Sequence, residues 1–483
     1  MPSFLFYDIT FLVVFAIFLA WFLYNGRKNI NKEGLLLLYK ASWGIKLIKI
    51  VGKKYKKTLK ALSYVSIGLG YILMASVLWL FGKIVWIYAF NQNIVRAIKV
   101  PPIIPLIPYL PQIFNLDFLP PFFFTYWIVI IALIAIPHEF FHGIFAARDK
   151  IHIKTTGFGF FPFFLPVFLA AFVELDEPQM AKKSKFSQLA VLSAGTFANV
   201  LTAILFFIIL LIFFSLAFTP AGVMFTSYSN SIVNVSDITT INGINFDEKT
   251  YDNLLDSLSE EDFTEVKTTS ERNYLATKDI INNSQNERFF ESNGQIILFN
   301  DAPAIRAGLQ GAITEINGVK IINQEGLGNE LNKYSPGEII TIKTVIDNEE
   351  FTYEIKLAEH PLDPSRPMIG IGFINQQREG ILGKTYNVLS SFREPNTYYK
   401  SSINDELGLF IYNLLWWIIL ISLSVALVNM LPVGIFDGGR FFYLTILGLT
   451  GSEKTAQKSF KFVTWLFLFL ILLLMVFWGL SFR

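Results

Sequence analysis

The apolar segment from residue 122 to residue 147 contains the sequence "HEFFH", in which His138, Glu139 and His142 stand out as polar residues. Residues four apart leave the same face of a helix, so both imidazoles can bind one tetrahedral zinc ion. Glu139 can then accept the proton of a zinc-bound water. A charge at the centre of a membrane span costs roughly 2.5–3.5 kcal/mol and usually serves a function. The alternative is a pair of histidines that hydrogen-bond between helices.

A zinc ion of this kind needs a third protein ligand, and Asp437 is the best candidate in the sequence. It follows a later apolar segment, in "ALVNMLPVGIFDGGRFF", and the glycines Gly438 and Gly439 after it permit a close approach of the backbone. The alternative role for Asp437 is to cap the N-terminus of the next helix. The two remaining histidines, His152 and His360, lie in polar surroundings and are weaker candidates.

The composition of the whole chain indicates a membrane protein with an additional soluble region. Of its 483 residues, 53% are hydrophobic and only 16% are charged. The net charge of +2 gives no reason to expect nucleic acid as a partner. The absence of cysteine excludes disulfides, thiolate metal sites and a thiol nucleophile.

Six apolar segments are long enough to cross a bilayer, which takes about 20 residues. The predicted spans are 9–25, 61–90, 122–147, 187–218, 407–431 and 457–481. The first lacks a basic segment before it and a cleavage site after it, so we expect a retained span and not a signal peptide.

The distribution of charge predicts the orientation of these spans. The loop between the first two spans contains eleven lysines and arginines and a single acidic residue, Glu33, which predicts a cytoplasmic location. Within this loop, the lysine-rich stretch 34–50 predicts an amphipathic helix in the membrane plane. Alternation of the spans then predicts that residues 221–400 lie outside and that the metal site lies near the cytoplasmic side.

Two other apolar stretches do not fit regular spans. Residues 156–176 are interrupted by glycines and prolines, and they predict a re-entrant β-hairpin packed against protein, because irregular backbone is not tolerated against lipid. The proline-rich stretch 100–114 predicts an extended or interfacial segment.

The polar region between the fourth and fifth spans contains an internal repeat. The sequence "ITTING" at 238–243 recurs as "ITEING" at 313–318, and each Asn-Gly pair predicts a hairpin turn after a short strand. The surroundings of the second copy, "DAPAIRAGLQGAITEINGVKIINQEGLGNEL", resemble a PDZ domain. One module with a large insertion and two modules both fit the sequence. A PDZ groove binds an extended peptide or a C-terminal tail, and the alternative is a structural plug.

Taken together, "HEFFH" in one span, "NMLPVGIFDGG" at the end of a later span and a PDZ-like region between them resemble the site-2 protease family of intramembrane zinc metalloproteases. The resemblance covers about residues 122–450. It implies a polytopic α-helical membrane protein with about six spans, an inserted extracytoplasmic PDZ-like α+β domain and a re-entrant β-hairpin. It also implies that His138, His142 and Asp437 bind Zn²⁺ and that Glu139 is the general base.

Further residues match motifs of this family. Asn429 and Pro432 correspond to the asparagine and proline ahead of the aspartate ligand, and Gly438 corresponds to the glycine after it. The resemblance gives Asn429 a role in holding the substrate backbone or the oxyanion. Gly195 and Asn199, in "SAGTFANVLTA", resemble the family's fourth-span pattern. Ordinary packing of small residues with an interhelical hydrogen bond is the alternative for this pair.

The predicted function is therefore cleavage of single-span membrane proteins within the lipid bilayer. The predicted location of the protein itself is the cell membrane, which it crosses several times. Two alternatives stay open: an inactive membrane scaffold with a PDZ domain, and another "HExxH" membrane protease with a glutamate as third ligand. The predicted regions are 1–60 with the first span and basic loop, 61–121 with the second span, 122–220 and 382–450 with the catalytic core, 221–381 with the PDZ-like region, and 451–483 with the last span.

Overall fold

A computed structural model describes residues 4–480 except 34–35, 92–94, 96–100, 103, 115, 117–118, 161–168, 248, 261, 271, 283–285, 287–289, 292, 347, 362 and 374–379. The helices of this part of the chain are α1 (Phe4–Asn25), α2 (Ile45–Lys54), α3 (Lys56–Phe90), α4 (Leu110–Ile113), α5 (Phe124–Arg148), α6 (Glu177–Ala181), α7 (Lys185–Ala217), α8 (Tyr251–Asp256), α9 (Lys278–Ile281), α10 (Pro303–Arg306), α11 (Gln324–Leu331), α12 (Gly380–Ser390), α13 (Asp405–Asn429), α14 (Asp437–Thr450) and α15 (Glu453–Leu480).

The strands are β1 (Ile30–Glu33), β2 (Leu36–Ala41), β3 (Ile153–Phe160), β4 (Leu169–Leu175), β5 (Phe218–Met224), β6 (Ser227–Tyr228), β7 (Asn230–Asn234), β8 (Ile238–Ile241), β9 (Ile244–Asn245), β10 (Thr264–Thr268), β11 (Asn273–Ala276), β12 (Gln295–Asn300), β13 (Ala312–Ile316), β14 (Val319–Lys320), β15 (Ile339–Ile346), β16 (Glu349–Lys356), β17 (Ala358–His360), β18 (Asp363–Met368), β19 (Ile371–Gly372) and β20 (Thr397–Ser401). The chain divides into two compact units, one formed by Met1–Phe214 with Leu409–Arg483 and the other by Ser215–Gly408.

Six helices in the described part of the chain are long and apolar enough to cross a membrane, namely α1, α3, α5, α7, α13 and α15. This number agrees with the sequence prediction, and the chain is a multi-pass membrane protein. Several helices begin earlier than the predicted spans, at Lys56, Lys185 and Glu453. The difference arises because hydropathy marks only the apolar part, whereas backbone hydrogen bonding continues into the polar ends.

The N-terminus of α5, the helix that carries "HEFFH", is capped by a residue from α1. Asp8 is 2% exposed. Its Oδ2 accepts hydrogen bonds from the Tyr109 hydroxyl at 2.6 Å and the Phe124 N–H at 2.8 Å. Its Oδ1 accepts from the Thr125 N–H at 2.9 Å and the Thr125 hydroxyl at 2.5 Å. The residue at the N-cap position, Phe123, has no side-chain acceptor, so Asp8 satisfies N–H groups that the helix itself leaves unpaired.

We expect Asp8→Ala to lower the stability of the protein by about 3 kcal/mol, because it removes a cap and leaves buried donors without an acceptor. The measurement is the midpoint of thermal unfolding of the detergent-solubilised protein. Thr10→Ala on the same helix is the control, since the exposed Thr10 hydroxyl donates to the Phe6 carbonyl of its own helix. Equal midpoints for the two variants would contradict the capping role.

The predicted hairpin at 156–176 is present as β3 and β4, which are antiparallel, but it belongs to a larger sheet with the order β1-β2-β3-β4. Its tip at 161–168 lies outside the described residues. The prediction of one helix over 34–50 is wrong for the first half, because residues 36–41 form β2 and pair with β3. The second half is helical, in α2, and its Ile48 is fully buried in a cluster with Ala147 of α5.

The second unit contains two six-stranded sheets among its described residues. The first has the order β7-β12-β11-β10-β8-β9, and the second has the order β16-β15-β13-β5-β20 with β14 paired to β13. Separate apolar clusters pack on the two sheets, around Ile238 and Val266 in one and around Ile313 and Ile342 in the other.

The repeated Asn-Gly sequences form equivalent turns in these two sheets. Asn242 and Asn317 both have positive φ, of 49° and 44°, in the hairpins β8–β9 and β13–β14. Each asparagine Oδ1 accepts a backbone N–H from the neighbouring strand, from Glu265 at 3.3 Å and from Thr341 at 2.8 Å. The hairpins predicted from the repeat are therefore present, and the repeat has a counterpart in structure.

Candidate metal centre

Two imidazoles from α5 and one carboxylate from the start of α14 converge in the first unit. The Nε2 atoms of His138 and His142 lie 3.1 Å apart. Oδ2 of Asp437 lies 3.4 Å from Nε2 of His138 and 3.2 Å from Nε2 of His142. Both histidines are buried, and the three residues form a group that could hold a metal ion.

The local sequence explains how these side chains meet. His138 and His142 are one turn apart on α5. The helix α13 ends at Asn429, and the turn after it, which contains the buried Pro432, leads to Asp437 as the first residue of α14. This turn folds tightly on the start of α14, since a Cβ atom on Gly438 would lie 2.3 Å from the carbonyl carbon of Met430. Asp437 does not occupy the N-cap position, which belongs to Phe436.

Hydrogen bonds to the remaining ring nitrogens orient both imidazoles. Nδ1 of His142 lies 2.7 Å from the Val191 carbonyl, which can only accept, so His142 carries its proton on Nδ1 and leaves Nε2 free. Nδ1 of His138 lies 3.0 Å from the side-chain amide of Asn199, whose Oδ1 is buried without a partner. In the opposite orientation of this amide, Oδ1 accepts the Nδ1–H of His138, which leaves Nε2 of His138 unprotonated as well. The two Nε2 lone pairs then face Asp437.

Gly195 on α7 lies against the two imidazole donor atoms. A Cβ atom at this position would lie 2.3 Å from Nε2 of His142 and 2.5 Å from Nε2 of His138. Asn199, one turn later on the same helix, reaches the other side of the His138 ring. The two residues of the predicted fourth-span pattern therefore both contact the imidazoles.

The donor set fits zinc. A tetrahedral zinc ion with bonds of about 2.0–2.1 Å separates its ligand atoms by about 3.3–3.4 Å, and the three separations here are 3.1, 3.2 and 3.4 Å. Three protein donors leave one of the four positions for water or substrate, which is the arrangement of catalytic zinc sites.

Residues 126–475 match the family model described as Peptidase family M50. The chain belongs to peptidase family M50. This confirms the resemblance to site-2 proteases that the sequence motifs indicated. The chain is also similar to the zinc metalloprotease RasP of Shouchella clausii (strain KSM-K16), with 24% identity over 210 residues that cover 37% of this chain and 49% of RasP. The chain thus spans about half the length of this curated relative.

In this M50 chain, the metal centre opens into a cavity of about 550 Å³. Its walls come from α5, α7, α13 and β4 and from the loop before Asp437. Asn429 lines the cavity, and its Nδ2 lies 3.5 Å from Nε2 of His138. Arg440 and Glu177, which also line the cavity, form an ion pair.

Glu139 lies on the side of α5 that faces β4. Its Oε2 accepts a hydrogen bond of 2.9 Å from the Val173 N–H. Neither this contact nor the contact between His142 and Val191 could be predicted from the sequence, because both partners are backbone groups, which almost any residue type provides. Asp8 was also missed, because an acidic residue just outside an apolar segment is typical of the end of a span.

The other candidate ligands take no part in this centre. Glu174, the nearest glutamate after "HEFFH" in the sequence, accepts hydrogen bonds from Lys40 at 3.1 Å and Thr155 at 2.9 Å. Partial burial alone would raise the pKa of Glu174, but these two donors lower the pKa below its usual range. His152 is exposed before β3, and His360 lies in β17 of the second unit.

We expect Asn199→Ala to weaken zinc binding by about 10- to 100-fold, because the Nδ1–H of His138 then lacks the acceptor that fixes its ring and tautomer. Competition with a chromophoric chelator measures this affinity in the detergent-solubilised protein. Thr202→Ala is the matched control on the same helix, since the Thr202 hydroxyl donates to the Ala198 carbonyl of that helix. An affinity of Asn199→Ala equal to that of Thr202→Ala would contradict the proposed contact.

Proposed function

We propose that this protein is an intramembrane zinc metalloprotease that cleaves transmembrane segments of membrane-anchored proteins. The observation that carries the proposal is the convergence of His138, His142 and Asp437 beside Glu139 in a cavity between apolar helices. Membership of peptidase family M50 and similarity to a zinc metalloprotease support the same reaction class.

In this mechanism His138, His142 and Asp437 would hold the zinc ion, while Asn199 and the Val191 carbonyl orient the two imidazoles. When bound, zinc supplies the Lewis acidity that activates water and polarises the scissile carbonyl. Glu139 takes the proton of the attacking water and delivers it to the leaving nitrogen.

The remaining cavity residues bind and orient the substrate. Asn429 lies on the α13 side of the zinc ligands, where its amide can donate to a substrate carbonyl or to the developing oxyanion. A transmembrane helix has no free backbone groups, so it must unwind before one of its carbonyls can enter the cavity at the metal centre. The edge strand β4 lines the cavity and offers N–H and C=O groups to such an unwound segment.

The proposal includes the orientation of the protein in the membrane. The basic loop that contains α2 supports a cytoplasmic position for the nearby end of α5 and therefore for the metal centre. The second unit is then extracytoplasmic. We propose that its two sheets are PDZ-like modules that bind an extended peptide or a C-terminal tail and limit access to substrates with small outer domains.

The test is cleavage of a single-span reporter by the purified protein in liposomes, with mass spectrometry of the products. We expect a cut within the apolar segment, loss of cleavage after zinc is removed with a chelator and recovery when zinc is restored. Peptide binding without cleavage would favour the membrane scaffold, and cleavage by a metal-free preparation would refute the proposal.

A further inference from the structure

The hydrogen bond between Val173 and Glu139 links the general base to an open sheet edge. In the described residues β4 is the last strand of its sheet and pairs only with β3. Val173 stands opposite Thr156 in this pairing, but its N–H points away from β3 and donates to Oε2 of Glu139 at 2.9 Å. An edge strand otherwise presents such N–H groups to solvent or to an added strand.

Side-chain packing fixes the distance between this N–H and α5. Val173 packs against an apolar cluster that includes Ile48 of α2 and Ala147 of α5. Phe140 and Ile144, which follow Glu139 on α5, pack against the same cluster. The strand therefore lies firmly against the turn of α5 that follows the base, and the position of its backbone N–H is determined by this contact.

We propose that the Val173 N–H is a positioning group for the general base, which deepens the proposed function and rests on it. A carboxylate has two oxygen atoms, so the N–H holds one and leaves the other to accept the proton of the attacking water. Without this donor the glutamate side chain can rotate about three bonds, and the population with an oxygen beside the zinc falls.

The strand β4 then has two roles, at the alternate positions Ala171 and Val173. By the alternation of a β-strand, Ala171 presents its N–H on the same open edge as Val173, and it also lines the cavity. Val173 holds the base, and Ala171 is available to a substrate strand. A substrate segment that pairs with β4 is thereby placed next to the Glu139 carboxylate, which the same strand orients.

Proline substitutions separate these two tasks, because proline lacks the N–H and is tolerated where that group points off an edge strand. We expect kcat of Val173→Pro to fall about 10- to 100-fold below kcat of Val173→Ala, which keeps the N–H, with little change in KM. Ala171→Pro should instead raise KM and keep kcat. Each variant should retain one zinc per chain.

Equal kcat values for Val173→Pro and Val173→Ala would overturn the inference, as would a loss of kcat in Ala171→Pro as large as that in Val173→Pro. If Val173→Pro fails to fold, replacement of Val173 by its α-hydroxy acid exchanges the N–H for an ester oxygen without the proline ring and must lower kcat in the same way. Glu139→Gln is measured in parallel. An active Glu139→Gln enzyme refutes the proposed function itself. An inactive Glu139→Gln enzyme, together with a kcat of Val173→Pro equal to that of Val173→Ala, refutes only the positioning role.

Discussion

Substitution of Gly195 by alanine is expected to abolish zinc binding and, with it, proteolysis. The added methyl group would lie 2.3 Å from Nε2 of His142 and 2.5 Å from Nε2 of His138. Such distances force both rings away from the positions in which their lone pairs converge. Because zinc supplies several kcal/mol of transition-state stabilisation, activity should fall by about three orders of magnitude or more.

Zinc content and reporter cleavage of Gly195→Ala are compared with those of Gly68→Ala. Gly68 lies in the membrane helix α3, and a Cβ atom there meets nothing within 4 Å. The control should therefore contain one zinc per chain and cleave the reporter like the wild type. Full zinc content in Gly195→Ala would show that the imidazoles do not occupy the positions on which the site depends.

Glu139→Gln is expected to keep zinc and lose about 10²- to 10⁴-fold in kcat, which is the usual contribution of a general base. The amide has the shape of the carboxylate, and its oxygen can still accept the Val173 N–H. It cannot take a proton from water at neutral pH. The variant therefore separates chemistry from metal binding and from folding.

The measurement is the initial rate of reporter cleavage at saturating substrate, together with the zinc content of the same sample. Glu453→Gln, an exposed change at the start of α15, is the control for the loss of a carboxylate and should behave like the wild type. A Glu139→Gln enzyme as fast as this control would remove Glu139 from the mechanism.

The sequence was most informative where polar residues occur in apolar surroundings. His138, His142 and Asp437 were candidates because imidazoles and a carboxylate are costly in a membrane segment, and the structure brings them within 3.4 Å of one another. The six apolar segments were equally clear, since each is long and predominantly hydrophobic.

Long-range pairing could not be predicted in the same way. Residues 36–41 form a short apolar run that fits a helix or a strand equally well by pattern. Its structure is decided by β3, whose residues pair with it from a distant part of the sequence, as in the pair Tyr39 and Phe158. The capping role of Asp8 likewise depends on Tyr109, Phe124 and Thr125, which only the fold brings to it.

The most direct test of the metal centre is the zinc content of the purified wild-type protein and of His138→Ala, His142→Ala and Asp437→Ala, measured by elemental mass spectrometry after dialysis. One zinc per chain in the wild type and almost none in each variant is the predicted result. Zinc retained at one per chain in Asp437→Ala would contradict the convergence of these three residues on a single ion.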